Sequence, residues 1–126
     1  MINFLNEFEN IVTKSENEYV YVGMDTEWKP SCVIGMNTDD SNKVALIQIA
    51  TLEQIYLIDM INLNNLNESD SKLFAEKFLY NKKIIKLGYG FTHDIKMILK
   101  SFINLHDADL LRQSVLDLAY FVQQVK

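Results

Sequence analysis

The chain has 126 residues, of which 48% are hydrophobic and 23% are charged, so its length and composition suit one globular domain with a hydrophobic core. Four Gly, one Pro and one Cys exclude collagen-like, proline-rich and disulfide-rich architectures, and no run approaches the roughly 18 apolar residues of a membrane span. The net charge of −5 argues against a protein that coats nucleic acid through basic residues, but it is compatible with an enzyme that binds metal ions through carboxylates.

The N-terminal part of the chain predicts a helix and a strand. Apolar residues recur at helical spacing from Ile2 to Val12, so we expect an amphipathic helix within residues 1–17 that precedes a core formed by residues 18–126. These first residues lack the positive start and continuous apolar run of a secretory signal, which favours an intracellular protein. Aromatic and β-branched residues from Glu18 to Trp28 predict a strand that the segment 29–31 breaks.

Two further strands are predicted after a polar loop at 35–43. The segments Val44–Thr51 and Ile55–Asp59 are nearly continuous apolar runs, as in strands that are covered on both faces. The connection between them has the length of a hairpin turn. Three consecutive strands joined in this way predict an antiparallel meander.

After Asp59 the spacing of the apolar residues becomes that of a helix. Capping oxygens at Ser69–Ser71 and an apolar stripe predict a helix that runs to about Tyr80, and Lys83–Leu87 predicts a further strand. Apolar residues after Phe91 trace another helical face, with Thr92 as its N-cap. A right-handed crossover would place the Lys83–Leu87 strand parallel to one of the first three strands.

The final residues predict a short strand at Ser114–Leu118 and the start of a helix over Ala119–Val125. Neither Gly nor Pro follows as a helix stop signal. We therefore expect a domain that is incomplete at its C-terminus.

Three acidic residues form the sharpest candidate site. Asp25 and Glu27 lie two residues apart at the end of an apolar strand, so their side chains project from one face and a divalent cation would relieve their repulsion. Asp94 falls in the first turn of the helix that follows the Lys83–Leu87 strand, and parallel strands would bring all three acids to one sheet edge. Solvation at a strand end and complementation of the helix dipole are the alternative explanations.

The Gly88-Tyr89-Gly90 turn before Asp94 permits tight backbone geometry or close approach of a ligand. It lacks the third glycine of a dinucleotide fingerprint, and it opens the second helical unit instead of the first. A dinucleotide-binding site is therefore not expected.

Four segments occur in a recognisable order, namely Val22-Gly23-Met24-Asp25-Thr26-Glu27-Trp28, then Val44 to Ala50, then Ile55 to Asp59, then Lys86 to Leu99. Together they resemble the DEDD 3′–5′ exonuclease domain of the RNase D, Werner exonuclease and Nibbler-like group, over about Tyr19 to Val125. The resemblance implies an α/β fold of the RNase H-like (DnaQ-like) kind, a mixed sheet with three antiparallel strands followed by parallel strand–helix units.

The resemblance also assigns roles to the three acids. Asp25 and Glu27 match the first motif of the family, and Asp94 matches the second. It implies two Mg²⁺ or Mn²⁺ ions, with Asp25 bridging both, Glu27 binding the ion that carries the attacking water, and Asp94 holding or orienting the other. The substrate would be a single-stranded RNA or DNA 3′ end that loses nucleoside 5′-monophosphates. RNA is favoured because Asp25 to Pro30 looks most like the Nibbler-type proteins that trim small RNAs.

The third motif of the family, a Tyr or His followed four residues later by Asp, does not occur in this sequence. His93, His106 and Tyr120 are each followed at that distance by a residue other than Asp. Asp117 resembles a structural Asp between the second and third motifs. The fourth carboxylate and the general base would then lie beyond residue 126, and we expect the 126-residue chain by itself to have an incomplete active site.

Two aromatic residues, Trp28 and Phe91, are candidates for contact with a terminal base, and packing in or beside the core is the alternative for both. Two other function classes also stay open. The chain could be an inactive nuclease-fold module that binds nucleic acid or protein, with further protein partners bound through additional domains. The second open class is a phosphatase with Asp25 as covalent nucleophile, although such sites usually have a second Asp where Glu27 stands.

Overall fold

The computed structural model describes residues 2–28, 44–61, 67–102, 105 and 107–125. Within them the strands are β1 (Val20–Trp28), β2 (Val44–Ala50), β3 (Ile55–Asp59), β4 (Ile84–Gly88) and β5 (Val115–Asp117). The helices are α1 (Ile2–Lys14), α2 (Glu68–Phe74), α3 (Thr92–Ser101), α4 (Ala108–Arg112) and α5 (Leu118–Val125), with a π-helix over Ala75–Leu79. The predicted strand break at 29–31, the loop at 35–43 and His106 lie outside the described residues. No helix in the described part of the chain is both long enough and apolar enough to cross a bilayer.

The strands form one mixed sheet in the order β3-β2-β1-β4-β5. β1 pairs antiparallel with β2, and β2 pairs antiparallel with β3, which confirms the predicted meander. β4 lies parallel to β1, with Val20 opposite Ile84, and β5 lies parallel to β4. The fold is therefore the predicted α/β arrangement of a meander followed by parallel strand–helix units. The carboxyl ends of β1, β4 and β5 share one edge of the sheet.

One face of the sheet carries the hydrophobic core. Residues from both strands and helices share it, and those from the strands include Val22, Met24, Ile47, Ile49 and Ile84. Helix α1 contributes Leu5 and Phe8, which its helical spacing places on one side. The ring of Phe8 packs edge-on against Phe78 of the π-helix, with centroids 5.1 Å apart. Each such buried side chain contributes about 1.5–3 kcal/mol to folding.

A lysine lies fully buried among these apolar side chains. Nζ of Lys86, in β4, donates hydrogen bonds to the carbonyl oxygen of Leu79 at 2.6 Å, to Oγ of Ser114 at 2.8 Å and to the carbonyl oxygen of Asn81 at 3.2 Å. These three acceptors match the three donors of the ammonium group. Burial lowers the pKa of Lys86 to about 7. The side chain therefore closes the C-terminal end of the π-helix from inside the core.

The helix predicted from Ser69 onward begins one residue earlier. Its first residue is Glu68, because the side chain of Asn67 accepts a hydrogen bond from the backbone N–H of Asp70 at 2.8 Å and so acts as the N-cap. The predicted single helix also changes its hydrogen-bonding period and continues as the π-helix at Ala75–Leu79. The prediction of a helix to about Tyr80 is thus correct in extent, but it is wrong about the N-cap and about a single α-helical hydrogen-bonding pattern.

Two further differences concern the second half of the chain. The prediction of Thr92 as an N-cap is wrong, because Thr92 is the first helical residue of α3 and Phe91 before it makes no side-chain cap. Helix α4 was not predicted at all. It is one turn long, and its N-cap Asp107 accepts a hydrogen bond from the backbone N–H of Leu110 at 2.9 Å. So short a segment carries too few apolar positions to show a helical period.

Candidate active site

Asp25 and Glu27 lie at the carboxyl end of β1. Successive side chains of the strand alternate between its faces, so Met24 and Thr26 are buried and the two acids project from the opposite, exposed face. This is the shared face that their spacing predicts. Oδ1 of Asp25 accepts a hydrogen bond from the backbone N–H of Thr26 at 2.9 Å.

The turn between β4 and α3 is fixed by two glycines and an aspartate. Gly90 has a φ of 62°, in the left-handed region, and a Cβ on Gly88 would lie 2.6 Å from Cδ2 of Phe91. The carboxylate of Asp117 accepts backbone hydrogen bonds from Gly90 at 2.9 Å and from Phe91 and Ala119 at 3.0 Å. Desolvation raises the pKa of Asp117, but these three hydrogen bonds outweigh it and leave the pKa below its ordinary value. Asp117 therefore has the structural role that was predicted.

Asp94 lies in the first turn of α3, with 9% of its surface exposed. Its Oδ1 accepts a hydrogen bond from the hydroxyl of Thr26 at 3.1 Å. Burial raises the pKa of Asp94. The hydrogen bond from Thr26 and the electrostatic effect of His93 oppose this rise, and the negative charges of Asp25 and Asp117 add to it. Asp25 and Asp94 therefore act on each other electrostatically although they come from different elements.

The three acids share one end of the sheet without forming a closed cluster. Thr26 links two of them, since its backbone N–H donates to Asp25 and its hydroxyl donates to Asp94. Glu27 projects from the exposed face beside Asp25. In the described ranges no group of three or more His, Cys, Asp or Glu side chains is gathered closely enough to hold a metal ion.

The donor chemistry nevertheless fits a hard divalent cation. Asp25, Glu27 and Asp94 offer carboxylate oxygens, the ligands that Mg²⁺ and Mn²⁺ prefer in proteins. The ion pairs within the described residues are Lys72–Glu76, Lys77–Glu9 and Arg112–Asp109, and none of them involves these three acids. Within the described residues these three acids therefore form no ion pair, although the neighbouring His93 lowers the pKa of Asp94.

The two aromatic candidates occupy different environments. Trp28 is 44% exposed, its Nε1 donates to Oγ1 of Thr26 at 3.3 Å, and its ring meets that of His93 edge-on at 4.7 Å. Phe91 is 1% exposed and packs against Gly88. The burial of Phe91 favours packing in the core over the predicted contact with a terminal base. The ring of Trp28, in contrast, is accessible.

Thr26 is the residue of this site that the sequence did not single out. Strand alternation turns its side chain away from Asp25 and Glu27, so no contact with the acids was expected. In the structure the hydroxyl meets Asp94 from the core side, where α3 packs. The available signal was the hydroxyl itself, because a buried polar group on an apolar strand face needs a hydrogen-bond partner.

A cavity of about 540 Å³ opens beside Asp25 on the exposed face of the sheet. The residues around it include Gly23, Gln48, Leu87, Tyr89 and Leu118. The cavity therefore combines apolar walls with one carboxylate at the strand end.

The fold is that of solved exonuclease domains. The EXO domain of Aedes aegypti Nibbler matches it with a TM-score of 0.62 and 24% sequence identity, over 95% of this chain and 52% of that chain. The exonuclease domain of EXD2 matches with a TM-score of 0.60 and 19% identity, over 94% of this chain and 54% of that chain. These likenesses show that the chain has the fold of these solved domains.

The sequence model of the 3′–5′ exonuclease family matches residues 1–119, and the chain belongs to this family. This confirms the resemblance that the sequence motifs carry. Exonuclease mut-7 of Caenorhabditis elegans is 28% identical over 95 residues, which are 70% of this chain and 10% of that protein. The chain thus spans a small part of the length of this curated relative and about half of each solved domain.

Proposed function

We propose that this protein is a metal-dependent 3′–5′ exonuclease that hydrolyses terminal phosphodiester bonds of single-stranded RNA. The observation that carries the proposal is the sheet edge at which Asp25 and Glu27 end β1 and Asp94 begins α3 after the parallel strand β4. Membership of the 3′–5′ exonuclease family supports the reaction class. The three carboxylates, none of which forms an ion pair within the described residues, support the requirement for a metal.

The three acids would hold two Mg²⁺ or Mn²⁺ ions, with Asp25 and Glu27 contributing from the strand and Asp94 from the helix. Such ions lower the pKa of a water nucleophile and stabilise the charge of the reacting phosphate. The protein's own contribution is position, because sheet pairing fixes β1 and the turn held by Asp117 fixes the start of α3. Hydrolysis adds water to the last bridging phosphorus and breaks its bond to the 3′ oxygen, so a nucleoside 5′-monophosphate leaves.

The cavity beside Asp25 is the place we propose for the terminal nucleoside. Leu87 and Leu118 offer apolar walls, and the ring of Tyr89 lies at the same cavity. The accessible ring of Trp28 offers a stacking surface for a base. We favour RNA because Asp25 to Pro30 resembles the Nibbler-type sequences and the fold matches the EXO domain of Nibbler. We also propose an intracellular location.

A nuclease assay on a 5′-labelled oligoribonucleotide with Mn²⁺ tests the proposal. The expected products are nucleoside 5′-monophosphates and a ladder that shortens from the 3′ end, and a 3′-phosphorylated substrate resists. The Asp25→Asn variant should lose more than about 100-fold in rate, because it removes a metal ligand. Glu53→Gln, an exposed acid in the turn after β2, is the matched control and should keep the wild-type rate. Full activity in Asp25→Asn would overturn the proposal.

The substrate preference is tested by an oligodeoxyribonucleotide of the same sequence, which should be shortened more slowly than the RNA. Equal rates would remove the preference without removing the nuclease.

The separate positions of the three acids favour one alternative, a module of the nuclease fold that binds nucleic acid or protein without cutting. This alternative predicts RNA binding that needs no Mn²⁺ and is unchanged in Asp25→Asn. It also predicts that no nucleoside 5′-monophosphate is released at any metal concentration. The two functions therefore differ in metal dependence as well as in products.

A further inference from the structure

Three side chains at the end of β1 and the start of α3 form a short hydrogen-bonded chain. Nε1 of Trp28 donates to Oγ1 of Thr26 at 3.3 Å, and Oγ1 of Thr26 donates to Oδ1 of Asp94 at 3.1 Å. The Thr26–Asp94 contact spans 68 positions of sequence and is buried. It is therefore a tertiary contact that joins the sheet to the first turn of α3.

The chemistry of the three groups fixes the donor and the acceptor in each of these two hydrogen bonds. An indole N–H can only donate, and an ionised carboxylate can only accept. A hydroxyl has one proton, so when its oxygen accepts from Trp28 the proton is available to Asp94. Trp28 therefore selects the hydroxyl orientation in which Thr26 serves Asp94.

The central residue is held rigidly. Thr26 is 7% exposed, and it pairs with Ile47 of the neighbouring strand. Its β-branched side chain has few accessible rotamers. Trp28 is held in turn by the ring of His93, the residue before Asp94 in α3. The donor that Asp94 meets thus has a fixed position.

We propose that Thr26 is a positioning residue that orients the Asp94 carboxylate for metal binding, and that Trp28 acts through Thr26 by fixing its hydroxyl. The inference rests on the proposed function, since it assigns Asp94 a metal. Within the described residues, Thr26 is the residue whose side chain donates a hydrogen bond to the Asp94 carboxylate, and the acceptor is Oδ1. Holding Oδ1 restricts the rotation of the carboxylate, so that Oδ2 is presented to a cation in one orientation.

Calorimetric titration of Mn²⁺ into the folded protein tests the role of Thr26 without relying on activity. Thr26→Val keeps the shape and removes the hydroxyl, and it should weaken Mn²⁺ binding by about tenfold, as the loss of a group that orients a metal ligand does. Thr26→Ser keeps the hydroxyl and should restore affinity to within about threefold of wild type. If Thr26 acted only through the packing of its methyl group, Thr26→Ser would weaken Mn²⁺ binding more than Thr26→Val.

A double-mutant cycle tests the role assigned to Trp28. Trp28→Phe keeps a ring beside His93 and removes the N–H donor, so it should weaken Mn²⁺ binding less than Thr26→Val. The double variant should bind Mn²⁺ as Thr26→Val does, because Trp28 acts through a hydroxyl that is then absent. Trp28 is the single tryptophan of the chain, so its emission spectrum should also change in Thr26→Val and return in Thr26→Ser.

The Asp25→Asn variant separates the possible failures. Wild-type affinity in Thr26→Val, together with weakened affinity in Asp25→Asn, would overturn the positioning role and leave the proposed function intact. Equal Mn²⁺ affinity in wild type and Asp25→Asn would overturn the metal site and the inference with it. Additive effects of Thr26→Val and Trp28→Phe would overturn the part assigned to Trp28. Trp28→Phe keeps the test valid if Thr26→Val fails to fold.

Discussion

The carboxylate of Asp117 accepts a hydrogen bond from the backbone N–H of Phe91 at 3.0 Å, across 26 positions of sequence. Phe91 immediately precedes α3 and provides no side-chain cap. The carboxylate at the end of β5 therefore serves a backbone donor at the start of the helix, the role that a local capping side chain usually has. In this way the ends of two parallel strands together position the helix that carries Asp94.

Replacement of Asp117 should destabilise the fold. Asp117→Asn turns one accepting oxygen into an amide donor beside a backbone N–H, so we expect a loss of about 2 kcal/mol in the free energy of unfolding. Urea denaturation measures it. The control is Asp109→Asn, whose side chain is 92% exposed in an ion pair with Arg112 and should cost less than about 1 kcal/mol. Equal losses in the two variants would contradict the role assigned to Asp117.

The same residue predicts part of the response to acid. The pKa of Asp117 is lower in the folded protein than its ordinary value of 3.8, so its stabilisation is present above about pH 4 and is lost as the pH falls through the folded pKa. Asp117→Asn should therefore lose less stability between pH 5 and pH 3 than wild type, in urea denaturation at each pH. A parallel decline in both proteins would show that Asp117 does not titrate with unfolding.

The close approach of Phe91 to Gly88 predicts an asymmetry between two strand glycines. A Cβ at Gly88 would meet Cδ2 of Phe91 at 2.6 Å, so Gly88→Ala should cost about 1–3 kcal/mol by forcing that ring to move. A Cβ at Gly23 would lie 3.7 Å from Cβ of Ala50, an ordinary contact, so Gly23→Ala should be tolerated. Thermal unfolding of both variants compares them. A larger loss from Gly23→Ala would contradict the packing described.

Lys86 predicts a rise of stability towards alkaline pH. Its pKa is about 7 in the folded protein against 10.5 ordinarily, so protonation favours the unfolded chain and stability increases with pH between these two values. From pH 7 to pH 9 this amounts to about 2 kcal/mol. Lys86→Met should remove this increase, which denaturant titrations at both pH values measure. If Lys86→Met showed the same increase in stability, the increase would have to arise from another titratable group.

Local patterns predicted the elements that position the acids. The alternation of β1 predicted that Asp25 and Glu27 share one face, because side-chain direction in a strand depends only on spacing, and the structure shows that this face is exposed. The strand–helix order predicted that β4 runs parallel to one of the first three strands, because crossover connections have a preferred hand, and in the structure that strand is β1. Both inferences rest on properties of the backbone that hold in any fold.

Contacts between distant segments could not be predicted in the same way. The sequence shows that Thr26 is polar and lies on an apolar face, but its partner is 68 positions away. It shows a lysine in a predicted strand, but the three acceptors of Lys86 come from the π-helix end and from Ser114. Such pairs depend on how the elements pack, which no local pattern encodes.

Binding of Mn²⁺, followed by the electron paramagnetic resonance signal of the free ion, tests most directly whether Asp25, Glu27 and Asp94 form one metal site. We expect Asp25→Asn, Glu27→Gln and Asp94→Asn each to weaken Mn²⁺ binding by more than about tenfold, while Glu53→Gln binds as wild type does. Wild-type affinity in all three site variants would show that these acids do not form a metal site.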